Sequence, residues 1–350
     1  MKKILQLSIY PIVKPLHGGQ IRVSQIKTFF KKQSCKVKSL SITGIGHKEY
    51  TNDDFIITYS DLPSLVDVPF CGDYNTSLIC VTGKAYEFLK KKIIKFSPDI
   101  ILLEQIWLWP AVKKLKSEKI LKSNVKIVYS SQNIEYKAKR DNLKSHDFLN
   151  SKSRKIIKEI YNIEKEICKK ANTVISCTSI DALEFKSMGA RKIIICNNGV
   201  TKHKTSKDIS NNLLAELNGR KYAFFVGSDH PPNWLGFWKM LGPSLAWLPP
   251  EYIIIVAGGV SRKLEENMNN EENIYKDILM DRMKLLGQVS EELLAVLLDN
   301  ASVILLPITE GGGSNLKTAE AIASGRPVVA TTTAIRGFQF AAELSNFYIA

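Results

Sequence analysis

Val303-Ile304-Leu305-Leu306-Pro307-Ile308-Thr309-Glu310-Gly311-Gly312-Gly313-Ser314-Asn315-Leu316-Lys317-Thr318-Ala319-Glu320-Ala321-Ile322-Ala323-Ser324-Gly325-Arg326-Pro327-Val328-Val329-Ala330-Thr331 reads as strand, glycine-rich turn, helix and second strand. Both strand runs are continuously apolar rather than alternating, the mark of strands buried on both faces. A strand, a helix and a second such strand make a crossover unit of a parallel sheet. The three glycines let backbone approach a ligand closely, and the helix that follows offers free N–H groups and the positive end of its dipole to an anion. Lys317 in the first turn reaches the same anion. Glu320, three residues on and near the same face, can accept from two ribose hydroxyls. One helix thus provides donors for a diphosphate and an acceptor for a sugar.

The same rhythm extends back through the second half of the chain. Strands are expected at Tyr222–Val226, Tyr252–Ala257 and Met283–Leu286, with helices over Trp234–Leu248 and Ser290–Asp299. The first half repeats it, with strands at Ile4–Ile9, Val37–Ile42, Phe55–Thr58, Ile100–Leu103, Val125–Tyr129, Thr173–Ser176 and Ile193–Ile195. Helical segments Gln20–Lys32, Val81–Phe96, Ala111–Leu121, Lys152–Lys170 and Asp181–Met188 lie between them. A polar stretch rich in Lys, Ser and Asn, Thr201 to Asn218, separates the halves. The expected organisation is a basic domain over 1–200, a linker over 201–218 and a second α/β domain over 219–350. Ligands of doubly wound sheets bind beyond the carboxyl ends of the strands. Gly18-Gly19, Ser130 to Glu135, Gly227-Ser228, Gly258-Gly259, Gly287-Gln288 and Glu310 to Asn315 all follow strands.

No apolar run reaches the roughly 18 residues that span a bilayer. The start of the chain, Met1-Lys2-Lys3 and the run to Ile9, is interrupted by Gln6 and Ser8 and lacks a cleavage site, so it reads as a strand and the protein as cytoplasmic. The six cysteines show no Cys-x-x-Cys pair and no histidine at ligand spacing, so neither a disulfide framework nor a zinc site is indicated. No Asp-x-Asp stands ready to chelate a metal between phosphates, and no metal or cofactor is expected. Charge is uneven. Residues 1–200 hold 35 Lys and Arg against 18 Asp and Glu, whereas 201–350 hold 14 against 16. That bias fits an anionic partner for the first half, or a lysine-rich solvated surface with no such partner. No nucleic-acid motif accompanies it, which favours an anionic membrane surface at its inner face over RNA or DNA. The helix Lys152–Lys170 carries Ile156, Ile160, Ile163 and Ile167 under its basic residues, a spacing shared by interfacial and core-facing helices. Trp107-Leu108-Trp109 after a strand suits either sugar stacking or the core.

Gly311 to Thr331 resembles the donor-site signature of group-1 (family 4) retaining glycosyltransferases. Other segments agree in order: Asn197-Asn198-Gly199-Val200, Phe225-Val226-Gly227-Ser228 with Pro232-Asn233, Leu286-Gly287-Gln288-Val289, Gly18-Gly19 with Arg22, and Ser131-Gln132-Asn133-Ile134-Glu135. The resemblance implies a GT-B architecture, two Rossmann-like domains facing each other across a cleft. It implies transfer, with retention of configuration, from a nucleoside diphosphate sugar to a glycan or lipid-linked acceptor, without a metal. Lys317 and Glu320 would be the catalytic pair. Gly18, Gly19, Arg22, Gly227, Ser228, Gly259, Gln288, Glu310, Gly311, Gly312, Gly313, Ser314, Asn315 and Leu316 would hold the donor. His17, Gln132, Asn133 and Glu135 would touch the acceptor or the moving sugar.

Three departures stand out. Gly312 occupies the place of the family's first glutamate, and Glu310 comes two positions early. Ser228 and Asn233 occupy the stretch where an Arg and a Lys are usual, and Gln132 stands where histidine is common. The phosphate charge then rests mainly on Lys317, with Arg22 and helix-end amides assisting. A non-catalytic sugar-nucleotide-binding subunit and a nucleotide-sugar epimerase of the same fold are the alternatives. The family usually continues with further helices, so Phe347-Tyr348-Ile349-Ala350 reads as an unfinished strand of an incomplete C-terminal part.

Overall fold

The computed structural model describes residues 1–15, 17–44, 49–58, 67–200, 205–270, 272–310 and 314–350. The chain divides into two units, Met1–Asn197 and Asn198–Ala350.

The first unit runs β1 (Lys3–Ser8), α1 (Gly18–Lys32), β2 (Lys36–Thr43), β3 (Asp54–Ile56), α2 (Gly72–Ile79), α3 (Gly83–Phe96), β4 (Ile100–Leu103), α4 (Trp109–Ser117), β5 (Lys126–Ser130), α5 (Glu135–Ser145), α6 (Ser151–Lys170), β6 (Thr173–Ser176), α7 (Ser179–Ser187) and β7 (Ile193–Ile195). Its strands form one sheet in the order β3-β2-β1-β4-β5-β6-β7. Every pairing is parallel, for example Ile4 with Val37 on one side and with Ile100 on the other. The order reverses between β1 and β4, and the carboxyl ends of two such strands are where doubly wound sheets bind ligands.

The second unit runs α8 (Lys207–Leu217), β8 (Lys221–Val226), α9 (Pro231–Leu241), β9 (Tyr252–Ala257), α10 (Val260–Met268), α11 (Lys276–Arg282), β10 (Met283–Leu285), α12 (Glu291–Asn300), β11 (Val303–Leu306), α13 (Leu316–Ser324), β12 (Val328–Ala330) and β13 (Phe347–Ile349). Its parallel sheet has the order β10-β9-β8-β11-β12-β13, with the switch between β8 and β11. Alternate residues of one strand serve two cores. Tyr222 and Phe224 pack on one face, Ala223 and Phe225 on the other. Ile253 and Ile255 join the first core, Ile254 and Val256 the second. Burial on both sides is why these strands carry no polar alternation.

The sequence reading needs correcting in several places. Residues 201–218 are not all linker, because 207–217 form α8, whose Leu213 and Leu217 are buried in the second unit's core. Ile209, Leu213 and Leu217 recur every fourth residue, a helical stripe thinned by the Lys, Ser and Asn around it. The helix expected over 234–248 begins earlier, with prolines in its first turn, and stops at Gly242, whose φ is +79°. On α6 the stripe Ile156, Ile160 and Ile167 is buried in the core, so its apolar face is not presented to lipid. Trp107 and Trp109 are buried as well, and the Trp109 indole donates to Glu166 at 3.2 Å. No helix among the described residues is long and apolar enough to cross a membrane.

One contact fixes the second unit's switch point. Gly236 of α9 lies against the end of β11 so closely that a Cβ there would sit 2.0 Å from the Pro307 carbonyl oxygen. Overpacking usually costs about 1–3 kcal/mol, and a clash with a backbone oxygen, which cannot swing aside, belongs at the upper end, so Gly236→Ala is expected to destabilise the protein. This outweighs the ~1 kcal/mol that alanine gains over glycine in an open helix. A denaturant midpoint at or above the wild-type value would contradict the packing.

Candidate functional site

In the second unit, three adjacent strand ends carry a row of glycines. The Gly227 N–H donates to Ala257 O at 3.0 Å, and Gly258 donates to Gly287 O at 2.6 Å. Gly258 has φ +90°, and a Cβ on it would meet Gly227 O at 2.2 Å. A Cβ on Gly259 would approach the Asp229 backbone nitrogen to 3.0 Å. Gly258, and less tightly Gly259, thus have a packing reason to be glycine, since loop lies on loop, whereas a Cβ on Gly227 would meet only the Val260 and Phe225 side chains, at 3.2 and 3.3 Å. Gln288 is exposed just beyond β10.

Across the switch, β11 leads through Pro307 to Glu310, which is exposed. Gly311, Gly312 and Gly313 lie outside the described residues. Ser314 is buried; its hydroxyl accepts from Asn198 N at 3.2 Å and its carbonyl accepts from Asn198 Nδ2 at 2.8 Å. The Asn-Gly-Val segment is thereby tied to the start of α13. Asn315 is the N-cap residue of α13 but makes no side-chain capping bond, and Leu316 opens the helix. Thr318, wholly buried, anchors the helix through a bond from its hydroxyl to Ala334 O at 2.6 Å.

Lys317 and Glu320 stand partly buried on this anchored helix. Lys317 Nζ donates to Asn233 Oδ1 at 2.5 Å and lies 5.8 Å from the centre of the Phe225 ring. Burial lowers the Lys317 ammonium to about 8, against the pull of Glu320. Burial likewise raises the Glu320 carboxyl to about 7, with Lys317 opposing. Each group waits for a partner of opposite demand: the ammonium for an anion, the carboxylate for hydrogen-bond donors. Asn233 supplies the acceptor that sequence reasoning saw only as a departure.

In the first unit, Gly18 and Gly19 are the first residues of α1, and His17 caps it, with Nδ1 accepting from Gln20 N at 3.4 Å. A Cβ on Gly19 would lie 2.5 Å from the Tyr10 hydroxyl and 2.7 Å from Gln132 Oε1. Gln132 Nε2 donates to the Tyr10 hydroxyl at 2.5 Å and Gln105 Nε2 does so at 2.6 Å. The His17 ring meets Tyr10 edge-on at 4.9 Å. The structure thus gathers His17, Gly19 and Gln132 around Tyr10 and Gln105, two residues the sequence reading missed. Both follow the strands that flank the switch point, and that position was the available signal.

Arg22 lies elsewhere. It is buried, donates to Cys196 O at 3.3 Å, and its charge faces the fully buried Glu104, which burial raises to about 7. Asn133 Nδ2 donates to Glu135 Oε1 at 3.3 Å. Burial raises the Glu135 carboxyl to about 8, with Lys139 opposing and Glu164 adding to it. Glu164 accepts from the Glu135 and Tyr136 N–H groups at 2.9 and 3.1 Å, so it caps α5.

Residues 220–341, most of the second unit, match the model of a family described as Glycosyl transferases group 1. No curated protein sequence matches the chain. Among solved structures, sucrose-phosphate synthase from Thermosynechococcus elongatus is 16% identical with a TM-score of 0.71, covering 100% of this chain and 86% of that one. Anabaena HepE in complex with UDP and glucose is 16% identical with a TM-score of 0.67, covering 100% and 86%. WaaG, a glycosyltransferase involved in lipopolysaccharide biosynthesis, is 12% identical with a TM-score of 0.66, covering 99% and 85%. At these identities the likeness is one of fold: the chain has the GT-B type of two parallel-sheet α/β units.

Proposed function

We propose that this protein is a retaining glycosyltransferase that moves a sugar from a nucleoside diphosphate sugar to a glycan or lipid-linked acceptor in surface polysaccharide or glycolipid synthesis. The observation that carries the reading is the Lys317–Glu320 pair on α13, beyond the carboxyl end of β11 and inside the matched segment. The diphosphate meets the start of α13 and the Lys317 ammonium, and the ribose hydroxyls donate to Glu320. As the bond from the anomeric carbon to the diphosphate breaks, negative charge grows on the leaving oxygen, where a fixed cation and helix-end amides are most effective. The acceptor oxygen bonds the anomeric carbon, and its proton passes to the departing phosphate. Retention follows when attack comes from the side that the diphosphate leaves. NMR of the product tests this: the donor's anomeric configuration is expected in the new linkage, and the inverted anomer overturns the retaining mechanism.

The acceptor is assigned to the basic first unit, in support of which residues 1–200 carry 35 cationic against 18 acidic side chains. Since the apolar stripe of α6 is buried, attraction to an anionic membrane rests on exposed cations such as Lys152, Arg154, Lys155 and Lys158. Each Lys or Arg near such a surface contributes about 1 kcal/mol, and salt screens that attraction. The protein is expected to sediment with anionic vesicles at low salt and to be released at high salt. Equal behaviour with neutral vesicles, or no sedimentation, makes the lysines a solvated surface and the acceptor a soluble one.

A further inference from the structure

We propose that Asn233 is a positioning residue for the transfer reaction, holding the Lys317 ammonium at the donor phosphates without neutralising it. The inference rests on the functional reading of Lys317 given above and adds a residue to it.

Asn233 stands in the first turn of α9 and is 6% exposed. Its Nδ2 donates to the Ser228 carbonyl at 2.8 Å and to the Ser228 hydroxyl at 3.2 Å. A carbonyl only accepts, so this bond settles which way the amide faces. Oδ1 is left turned towards Lys317, whose Nζ donates to it at 2.5 Å. The carboxamide therefore links the loop after β8 to the first turn of α13, across the two strands that flank the switch point. Neither end is loose. Gly236, one turn further along α9, is pressed on the Pro307 carbonyl, and Thr318, beside Lys317, is bonded to Ala334 O.

A lysine stem has four rotatable bonds, and fixing it at the moment of reaction costs rotamer entropy. Here the stem is fixed in advance. The chemical type of the anchor matters equally. Among the described residues, the charged group that faces Lys317 is Glu320 on its own helix; β8 faces it with Phe225 and α9 with Asn233, both uncharged. A carboxylate at 233 would neutralise the ammonium and repel a diphosphate. An apolar side chain would leave a buried ammonium short of an acceptor. A carboxamide avoids both, accepting one of the three N–H bonds and leaving two for the substrate. This accounts for a neutral residue standing where the resemblance leads one to expect a cation.

Asn233→Asp and Asn233→Leu push Lys317 in opposite directions, and that separates positioning from mere packing. Titration of the Lys317 side chain by NMR in ligand-free, lysine-labelled protein, assigned through Lys317→Arg, reads the effect without any turnover. The Asp variant is expected to move the titration to higher pH and to raise the donor KM at least tenfold. The Leu variant is expected to move it to lower pH and to lower kcat at least tenfold, with the alkaline limb of the rate profile moving to lower pH as well. If either variant fails to fold, Asn233→Ser removes the contact without burying a charge and is expected to shift the titration down. Titration unchanged, or moved the same way by Asp and Leu, overturns the proposal. Shifts in opposite directions in a protein that turns over no sugar nucleotide would uphold Asn233 as the anchor of Lys317 and overturn the transferase reading alone.

Discussion

Glu320→Ala is expected to abolish detectable transfer and to weaken binding of the whole nucleotide. Glu320 lies one turn into α13, partly buried and beside the Lys317 charge, where a carboxylate is poised to accept from two neighbouring hydroxyls. Hydrogen bonds to a charged acceptor contribute roughly 1.5–3 kcal/mol each. Losing two removes about 3–6 kcal/mol, a factor of roughly 10² to 10⁴ in affinity. Glu320→Gln, which keeps the shape and one acceptor oxygen, should fall between. Calorimetry with the free nucleoside diphosphate checks this, and an unchanged affinity would remove Glu320 from the donor site.

Lys317→Ala is expected to act on a different quantity. Charge on the phosphates grows towards the transition state, so the ammonium binds that state more tightly than the ground state. Removing one fixed donor from a site of developing charge typically costs about 10² to 10³ in kcat. Donor KM should change much less. Lys317→Arg is not expected to restore the rate, because the larger guanidinium has to fit between Asn233 and the Phe225 ring. A variant with higher donor KM and unchanged kcat would make Lys317 a binding group only.

Most of the fold was legible in the sequence because its strands are buried on both faces. Runs such as Ile100–Leu103 and Tyr252–Ala257 carry no polar interruption, and strands stand at both. Even the closing run Phe347–Ile349 pairs in register with β12. Strand order is a different matter, since hydrophobicity says that a strand is buried but not beside which neighbour. Tyr10 and Gln105, 95 residues apart in sequence, therefore gave no sign of meeting. Helix α8 was lost for a local reason: three apolar residues four apart among Lys, Ser and Asn look like a linker.

At the candidate site, residue chemistry was more readable than residue role. Lys317 and Glu320 stand on one helix beyond β11, as their spacing and the preceding glycines suggested. Arg22 shows the limit of such reasoning. A cation two residues after a glycine pair looks like a phosphate ligand, yet the chain buries it against Cys196 O and Glu104. Gly19 shows another, because a Cβ there would press on the Tyr10 hydroxyl and Gln132 Oε1 whether or not a ligand approaches. Asn233 was visible only as a missing cation; its bond to Lys317 spans 84 residues and needs the fold to be seen.

The central claim is that the switch point of the second unit holds and activates a sugar nucleotide through Lys317 and Glu320. Incubating the purified protein with a panel of sugar nucleotides and detecting released nucleoside diphosphate tests it most directly. Release from at least one donor, lost in both Lys317→Ala and Glu320→Ala, is the expected result. Neither binding nor release with any member of the panel, or release that survives both substitutions, would contradict it.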